Sequence, residues 1–302
     1  MLKAKRPTTG ESEYVIAIAG TDFVSPFDWI AEDFAVNRGF VWPTPPKSGE
    51  PWNFGQFGKV DNTQPMAELN GKIAISEGTM QGVHVLLNKM QDPEKGSLPE
   101  YLKATFTGTS APVSISVNGH SLGAALAPAL ALSLKENLPT WASDQVAINT
   151  FFIAGASPGN QRFAKVFNQH FPQKGGAYNR LDVVPHAWYK DSLQVLPQIY
   201  VQQGVPASDP LDSLTRCALY LSQGGQYAAL YQLPKQAICP DSVPRPAGMN
   251  TCQSFNDAES FGAKEFNAHF GFDGEVCARD APVVALLNYG TLAEYNHIMA
   301  YL

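Results

Sequence analysis

Residues 117–127, VNGHSLGAALA, set a small polar serine between two glycines with apolar sequence on either side. The preceding 113–117 (VSISV) is rich in β-branched residues and reads as a strand. The following LGAALAPALALSLK is apolar on every side and reads as a buried helix. Pro128 must either kink that helix or lie near enough to its start to be tolerated. Ser121 thus stands at a sharp strand-to-helix corner, in the pattern Gly119-His120-Ser121-Leu122-Gly123. A serine there is forced into a strained backbone conformation, and glycines on both sides remove the clashes. The turn lifts the hydroxyl above the sheet and points the helix N-terminus at whatever reacts with it. The plainer alternative is a glycine-lined turn in which Ser121 only caps the helix.

Working outward, 14–20 (YVIAIAG) and 146–155 (VAINTFFIAG) read as buried strands. Met80, Val83, Leu86, Leu87 and Met90 fall at helical spacing within 77–91. Residues 161–171 form a second amphipathic pattern, with Phe163, Val166, Phe167 and His170 on one face. Residues 176–188 (GAYNRLDVVPHAW) read as a strand running into a loop, and 283–290 (VVALLNYG) as a late strand. Strands alternating with helices predict an α/β fold with a mostly parallel central sheet flanked by helices. The 302 residues suffice for one large domain, 1–302, with insertions.

The net charge of -6, without a dense Lys/Arg cluster, argues against nucleic acid as a partner. The longest apolar run, AALAPALALSL, is about half of the ~20 residues a membrane-spanning helix needs, so no transmembrane segment is expected. No apolar leader follows the basic opening MLKAKR, so no signal peptide is visible. Between about 203 and 282 the composition shifts to Pro, Gly, Ser and Gln. This stretch holds Cys217, Cys239, Cys252 and Cys277 and reads as an insertion or cap. An even number of cysteines in a loop-rich stretch fits two disulfides, of open connectivity, and hence a secreted or extracytoplasmic protein. Four buried free thiols are the alternative.

A serine hydroxyl is a poor nucleophile until a base takes its proton, and that base needs a carboxylate to orient it. In a fold of this kind the order along the chain is serine, acid, histidine. Asp182 has the best setting for the acid, between strand-like AYNRL and VVP, where a strand end meets a loop at the sheet's carboxyl edge. Its alternatives are pairing with Arg180 or capping a turn. Among the histidines downstream of Ser121, His170 lies on the apolar side of a helix. His186 is close to Asp182 in sequence, and His269 lies in the cysteine-bearing stretch. Position favours His297, which follows the last strand-like segment, and His120 reads as a structural hydrogen-bonder beneath the corner. No zinc-type ligand spacing is present, so neither metal nor cofactor is expected.

These residues resemble a known family. Gly119-His-Ser-Leu-Gly-Ala-Ala-Leu-Ala127 resembles the elbow of the class 3 lipases, the fungal-lipase-like branch of the α/β-hydrolases. Ile16-Ala-Ile-Ala-Gly-Thr21 with Asp28-Trp29 is similar to that family's strand and oxyanion turn. Ile153-Ala-Gly-Ala-Ser-Pro-Gly-Asn160, Asn179-Arg-Leu-Asp-Val-Val-Pro-His186 and Asn296-His-Ile-Met-Ala-Tyr301 resemble three further family segments in the family's order. The resemblance implies a Ser121, Asp182, His297 triad and an oxyanion held by the N–H groups of Thr21 and Leu122. It implies a lipid or other ester as substrate, met at a lipid–water interface, and a lid within 22–40. Phe23, Phe27, Trp29, Ile30, Phe34 and Phe40 would give such a lid its apolar face. A triacylglycerol lipase is the first expectation. An esterase, phospholipase, feruloyl esterase or peptidase on the same scaffold is the second. A non-catalytic binding protein that kept the scaffold is the third, and would show a broken triad.

Overall fold

The computed structural model describes residues 2–5, 12–20, 35–45, 57, 62–142, 144–201, 207, 209–222, 226–231, 237–238, 289, 293 and 297. In chain order the strands are β1 (Leu2–Lys5), β2 (Ser12–Ile18), β3 (Arg38–Val41), β4 (Thr63–Pro65), β5 (Ala74–Ser76), β6 (Gln91–Asp92), β7 (Gly96–Ser97), β8 (Val113–His120), β9 (Val146–Ile153), β10 (Gly175–Asn179) and β11 (Ala237–Ile238). The α-helices are α1 (Glu77–His84), α2 (Leu98–Phe106), α3 (Leu122–Glu136), α4 (Leu138–Trp141), α5 (Gln161–His170), α6 (Lys190–Leu193) and α7 (Asp209–Ser222).

The central sheet runs β1-β2-β8-β9-β10-β11. Among its described strands only β1 is antiparallel, paired with β2 from Leu2↔Val15 to Lys5↔Ser12. The other pairings are parallel, with β8 between β2 and β9 in unbroken register. With helices packed on it, this is the mostly parallel, α/β-hydrolase-type architecture that the strand–helix alternation predicts. A smaller antiparallel sheet, β4-β3-β5, sits beside it.

Pleating sorts the side chains. Val113, Ile115 and Val117 of β8 and Val146, Ile148 and Phe152 of β9 face one side, where α3 packs. Ala147, Asn149 and Phe151 point to the opposite side and are exposed. So β9 is buried on one face, not on both as its apolar run suggests. Every residue from Leu122 to Leu134 of α3 is buried, as an all-round apolar helix requires, and Pro128 lies inside the helix without ending it. The 77–91 pattern forms α1, then a π-helical turn (Val85–Lys89), with Met80, Val83 and Leu87 buried. Met90 falls past that turn and is exposed.

Four expectations need correction or narrowing. The stretch expected to be loop-rich contains α7, whose buried Leu211 and Thr215 are four residues apart. Ala218 and Leu221 then pack against a cluster that holds Trp188 and Tyr227. Cys217 sits on the solvent side of α7 as a free, exposed thiol, so the bridge expected there is not formed. Cys239, Cys252 and Cys277 lie outside the described residues, as does most of 203–282. Tyr289, inside the expected late strand 283–290, is helical, because a short apolar run alone does not separate strand from helix. Within the expected lid, Phe40 belongs to β3 and is buried against Phe57. Phe23, Phe27, Trp29, Ile30 and Phe34 lie outside the described residues. No helix among the described residues is long and apolar enough to cross a membrane.

Glu136 ends α3 with a side chain only 5% exposed, accepting a hydrogen bond from Trp42 Nε1 at 2.8 Å. Burial raises its carboxyl above the ordinary 4.5, and the Trp42 bond opposes this without cancelling it. A helix C-terminus is also an unfavourable place for negative charge. The folded chain therefore holds a proton that the unfolded chain releases above 4.5, so this group lowers stability as pH rises through that window. Glu136→Gln keeps an acceptor for Trp42 and removes the charge. Its thermal midpoint should exceed wild type at pH 7 and match it at pH 4. A lower midpoint at pH 7 would show that the 3.8 Å pairing with His170 outweighs desolvation.

Candidate active site

The corner at Ser121 is built as its glycines require. β8 ends at His120, α3 begins at Leu122, and Ser121 between them has φ 58°, ψ -126°, a left-handed region where a side chain is strained. Backbone bonds pin it: its N–H donates to Ile153 O at 3.1 Å, and its carbonyl accepts from Ala124 N–H at 2.9 Å. A Cβ on Gly119 would lie 2.1 Å from Gly123 O, and one on Gly123 would lie 2.3 Å from Ile18 O. Both glycines are therefore demanded by contact between backbones.

Asp182 lies one turn beyond β10 with no exposed surface. The turn is closed by its own N–H bonded to Asn179 O at 3.0 Å, and by Leu181 N–H donating to Asn179 Oδ1 at 3.0 Å. Asp182 Oδ1 accepts from Val184 N–H at 2.9 Å. Tyr200, buried beneath, donates its hydroxyl to Leu181 O at 2.7 Å, and Tyr289 stacks edge-on against it at 4.8 Å. Neither tyrosine stands out in the sequence, because nothing local links it to a turn so far away along the chain.

His297 is helical, 8% exposed, and meets both groups. Its Nδ1 lies 2.9 and 2.8 Å from Asp182 Oδ1 and Oδ2, and its Nε2 lies 2.8 Å from Ser121 Oγ. A carboxylate only accepts, so Nδ1 carries the hydrogen and Nε2 is free to accept the serine proton. The partners are 115 and 176 residues away in sequence, so only the fold brings them together. The remaining histidines take other places. His170 ends α5 and lies beside Glu136. His186 bonds Ser192 Oγ at 2.6 Å and Arg180 O at 3.2 Å. His269 lies outside the described residues.

Leu122 opens α3, so its N–H is one of the four that a helix leaves without an internal acceptor, directly beside the Ser121 hydroxyl. Thr21 lies outside the described residues. The strand leading to it does reach the corner: a Cβ built on Gly20 would stand 3.2 Å from Ser121 Cβ.

The family described as lipase (class 3) matches residues 53–192, a span that holds Ser121 and Asp182. A solved structure, the crystal structure of M37 lipase, is similar to this chain at 26% identity. The match covers 96% of this chain and 68% of that one, with a TM-score of 0.65. No curated protein sequence matches the chain. The chain is thus similar to the class 3 lipases in sequence over that span and to a lipase in fold. Both likenesses support a lipase or other ester hydrolase. The Gly159-Asn160 pair quoted from its sequence also gains a reason. Asn160 Oδ1 caps α5 by accepting from Phe163 N–H at 3.0 Å, and its Nδ2 donates to Lys72 O at 2.9 Å.

Proposed function

We propose that this protein is a lipase that cleaves carboxylic esters through Ser121, His297 and Asp182, with triacylglycerol as the substrate class. The observation that carries the reading is the 2.8 Å approach of His297 Nε2 to Ser121 Oγ while Nδ1 is held by a buried carboxylate. Ser121 Oγ attacks the ester carbonyl as Nε2 takes its proton, and Asp182 stabilises the imidazolium that results. The tetrahedral oxyanion is held by the N–H of Leu122 and that of Thr21, each such donor contributing about 2.7–4 kcal/mol. Collapse expels the alcohol, which receives the proton from Nε2. Water, deprotonated by the same nitrogen, then releases the acid and restores Ser121.

The triad is common to lipases, esterases and phospholipases, so choosing among substrates requires assay. Chromogenic esters of graded acyl length, emulsified long-chain triacylglycerol, phosphatidylcholine vesicles and a feruloyl ester should be compared at equal enzyme. Release of fatty acid from the triacylglycerol emulsion, rising steeply once the substrate exceeds its solubility limit, is the expected result. Activity confined to soluble short-chain esters would replace lipase by esterase, and preference for the vesicles would replace it by phospholipase.

A further inference from the structure

His120 takes no part in those proton transfers, yet it touches the residue that makes them. It is the last residue of β8, paired with Ile153 across the sheet and directly followed by Ser121. Its Nε2 lies 3.0 Å from the backbone oxygen of His297. The two imidazoles lie against each other, with centroids 4.9 Å apart and planes tilted by 31°. A carbonyl only accepts, so Nε2 of His120 carries a hydrogen and donates it. One ring therefore grips the other residue twice, by its backbone and by its face.

The need for that grip follows from the reach of the triad. Asp182 and Ser121 fix the two nitrogens of His297, but they leave the ring free to tip about that line and to move with its backbone. A 1 Å misplacement of reacting groups costs about 10²-fold in rate. The hydrogen bond to the carbonyl sets the height of the His297 backbone, and the tilted ring beside it limits the tipping. Both constraints come from the residue joined to the nucleophile, so hydroxyl and imidazole share one reference point on β8.

Charge suits the same role. Among the described residues the titratable groups that bear on His120 are His297 and Asp182. Burial first, and then His297, hold His120 below its ordinary range, although its hydrogen bond and Asp182 pull the other way. A neutral ring beside His297 spares the imidazolium formed there the repulsion that a second imidazolium would bring.

We propose that His120 is a positioning residue, holding the His297 imidazole in line with the Ser121 hydroxyl through its bond to the His297 carbonyl and the contact of its ring. The proposal rests on the triad reading given under the proposed function. Three variants of the full chain separate the contributions. His120→Phe keeps a ring without the donor, His120→Gln keeps an N–H of similar reach without the ring, and His120→Ala keeps neither. Each is measured for kcat and KM on a soluble chromogenic ester, for thermal midpoint, and for the fraction titrated by a fluorophosphonate. His120→Phe should lower kcat about ten-fold, the effect of one neutral hydrogen bond, with KM within about two-fold of wild type. His120→Gln should recover kcat to within about three-fold of wild type, and His120→Ala should be the slowest.

Wild-type kcat in His120→Phe and His120→Ala would overturn the proposal. So would a loss confined to KM or to the titratable fraction, or a His120→Gln no faster than His120→Ala. Any of these, in a chain whose labelling depends on Ser121, removes His120 alone and leaves the triad. A wild-type chain that is not labelled, or labelling that survives Ser121→Ala, removes the triad and this proposal with it.

Discussion

Ser121→Ala is expected to abolish fluorophosphonate labelling and to lower kcat by about 10⁶, leaving only what oxyanion binding and substrate positioning supply. Asp182→Asn should cost about 10⁴ with the fold intact. The reason is visible in the contacts of the acid. Asp182 Oδ1 already accepts from Val184 N–H, and both oxygens face His297 Nδ1. An amide must put its NH₂ in one of those places. Toward Val184 two donors collide, so the NH₂ turns to His297 and Nδ1 becomes the acceptor. The hydrogen then sits on Nε2, pointing at Ser121 Oγ, and the base has nothing with which to take a proton. Circular dichroism should show both variants folded. An Asp182→Asn chain within ten-fold of wild-type kcat, or a Ser121→Ala chain that still labels, would mean that the 2.8 Å contact is not the reacting one.

What the sequence made readable follows from what is local. The corner at Ser121 could be read because the strand before it is β-branched and the helix after it is apolar all round, two periodicities that meet at one residue. Asp182 could be read because a strand runs into a turn there. His297 was reachable by position and by resemblance, but nothing local says that it is helical or that Asp182 lies against its Nδ1. The supports are long-range contacts with no periodicity of their own: Tyr200 under the Asp182 turn, Tyr231 accepting from Gly155 N–H, His120 on His297. The misreadings have the same origin. Composition marked 203–282 as loop-rich, and α7 is recognisable only by the four-residue spacing of its buried side chains. The apolar run 146–155 does not reveal that one side of β9 would be exposed. Phe40, read with its aromatic neighbours as lid, is claimed by the core through Phe57, a partner 17 residues further along the chain.

The largest loss of stability is expected from Gly123→Ala, although the change is one methyl group. The new Cβ would stand 2.3 Å from Ile18 O and 2.6 Å from Ala19 O, both backbone atoms at the end of β2. No side chain can rotate away, so either the first turn of α3 or the strand must move. Overpacking of this kind costs about 3 kcal/mol or more, a fall on the order of 10 °C in thermal midpoint. The damage should reach activity as well, because Gly20, two residues past Ile18, packs beside Ser121 Cβ. Pushing β2 from α3 opens the corner on its oxyanion side, and kcat should drop even at temperatures where the variant is folded. Gly108→Ala is the control. Gly108 has φ +74° and open space around it, so its substitution adds only left-handed strain of about 1–2 kcal/mol and should leave kcat alone. If Gly123→Ala matched Gly108→Ala in both midpoint and kcat, β2 and α3 would not be pressed together. The serine would then owe its position to its own backbone alone and not to the strand beside it.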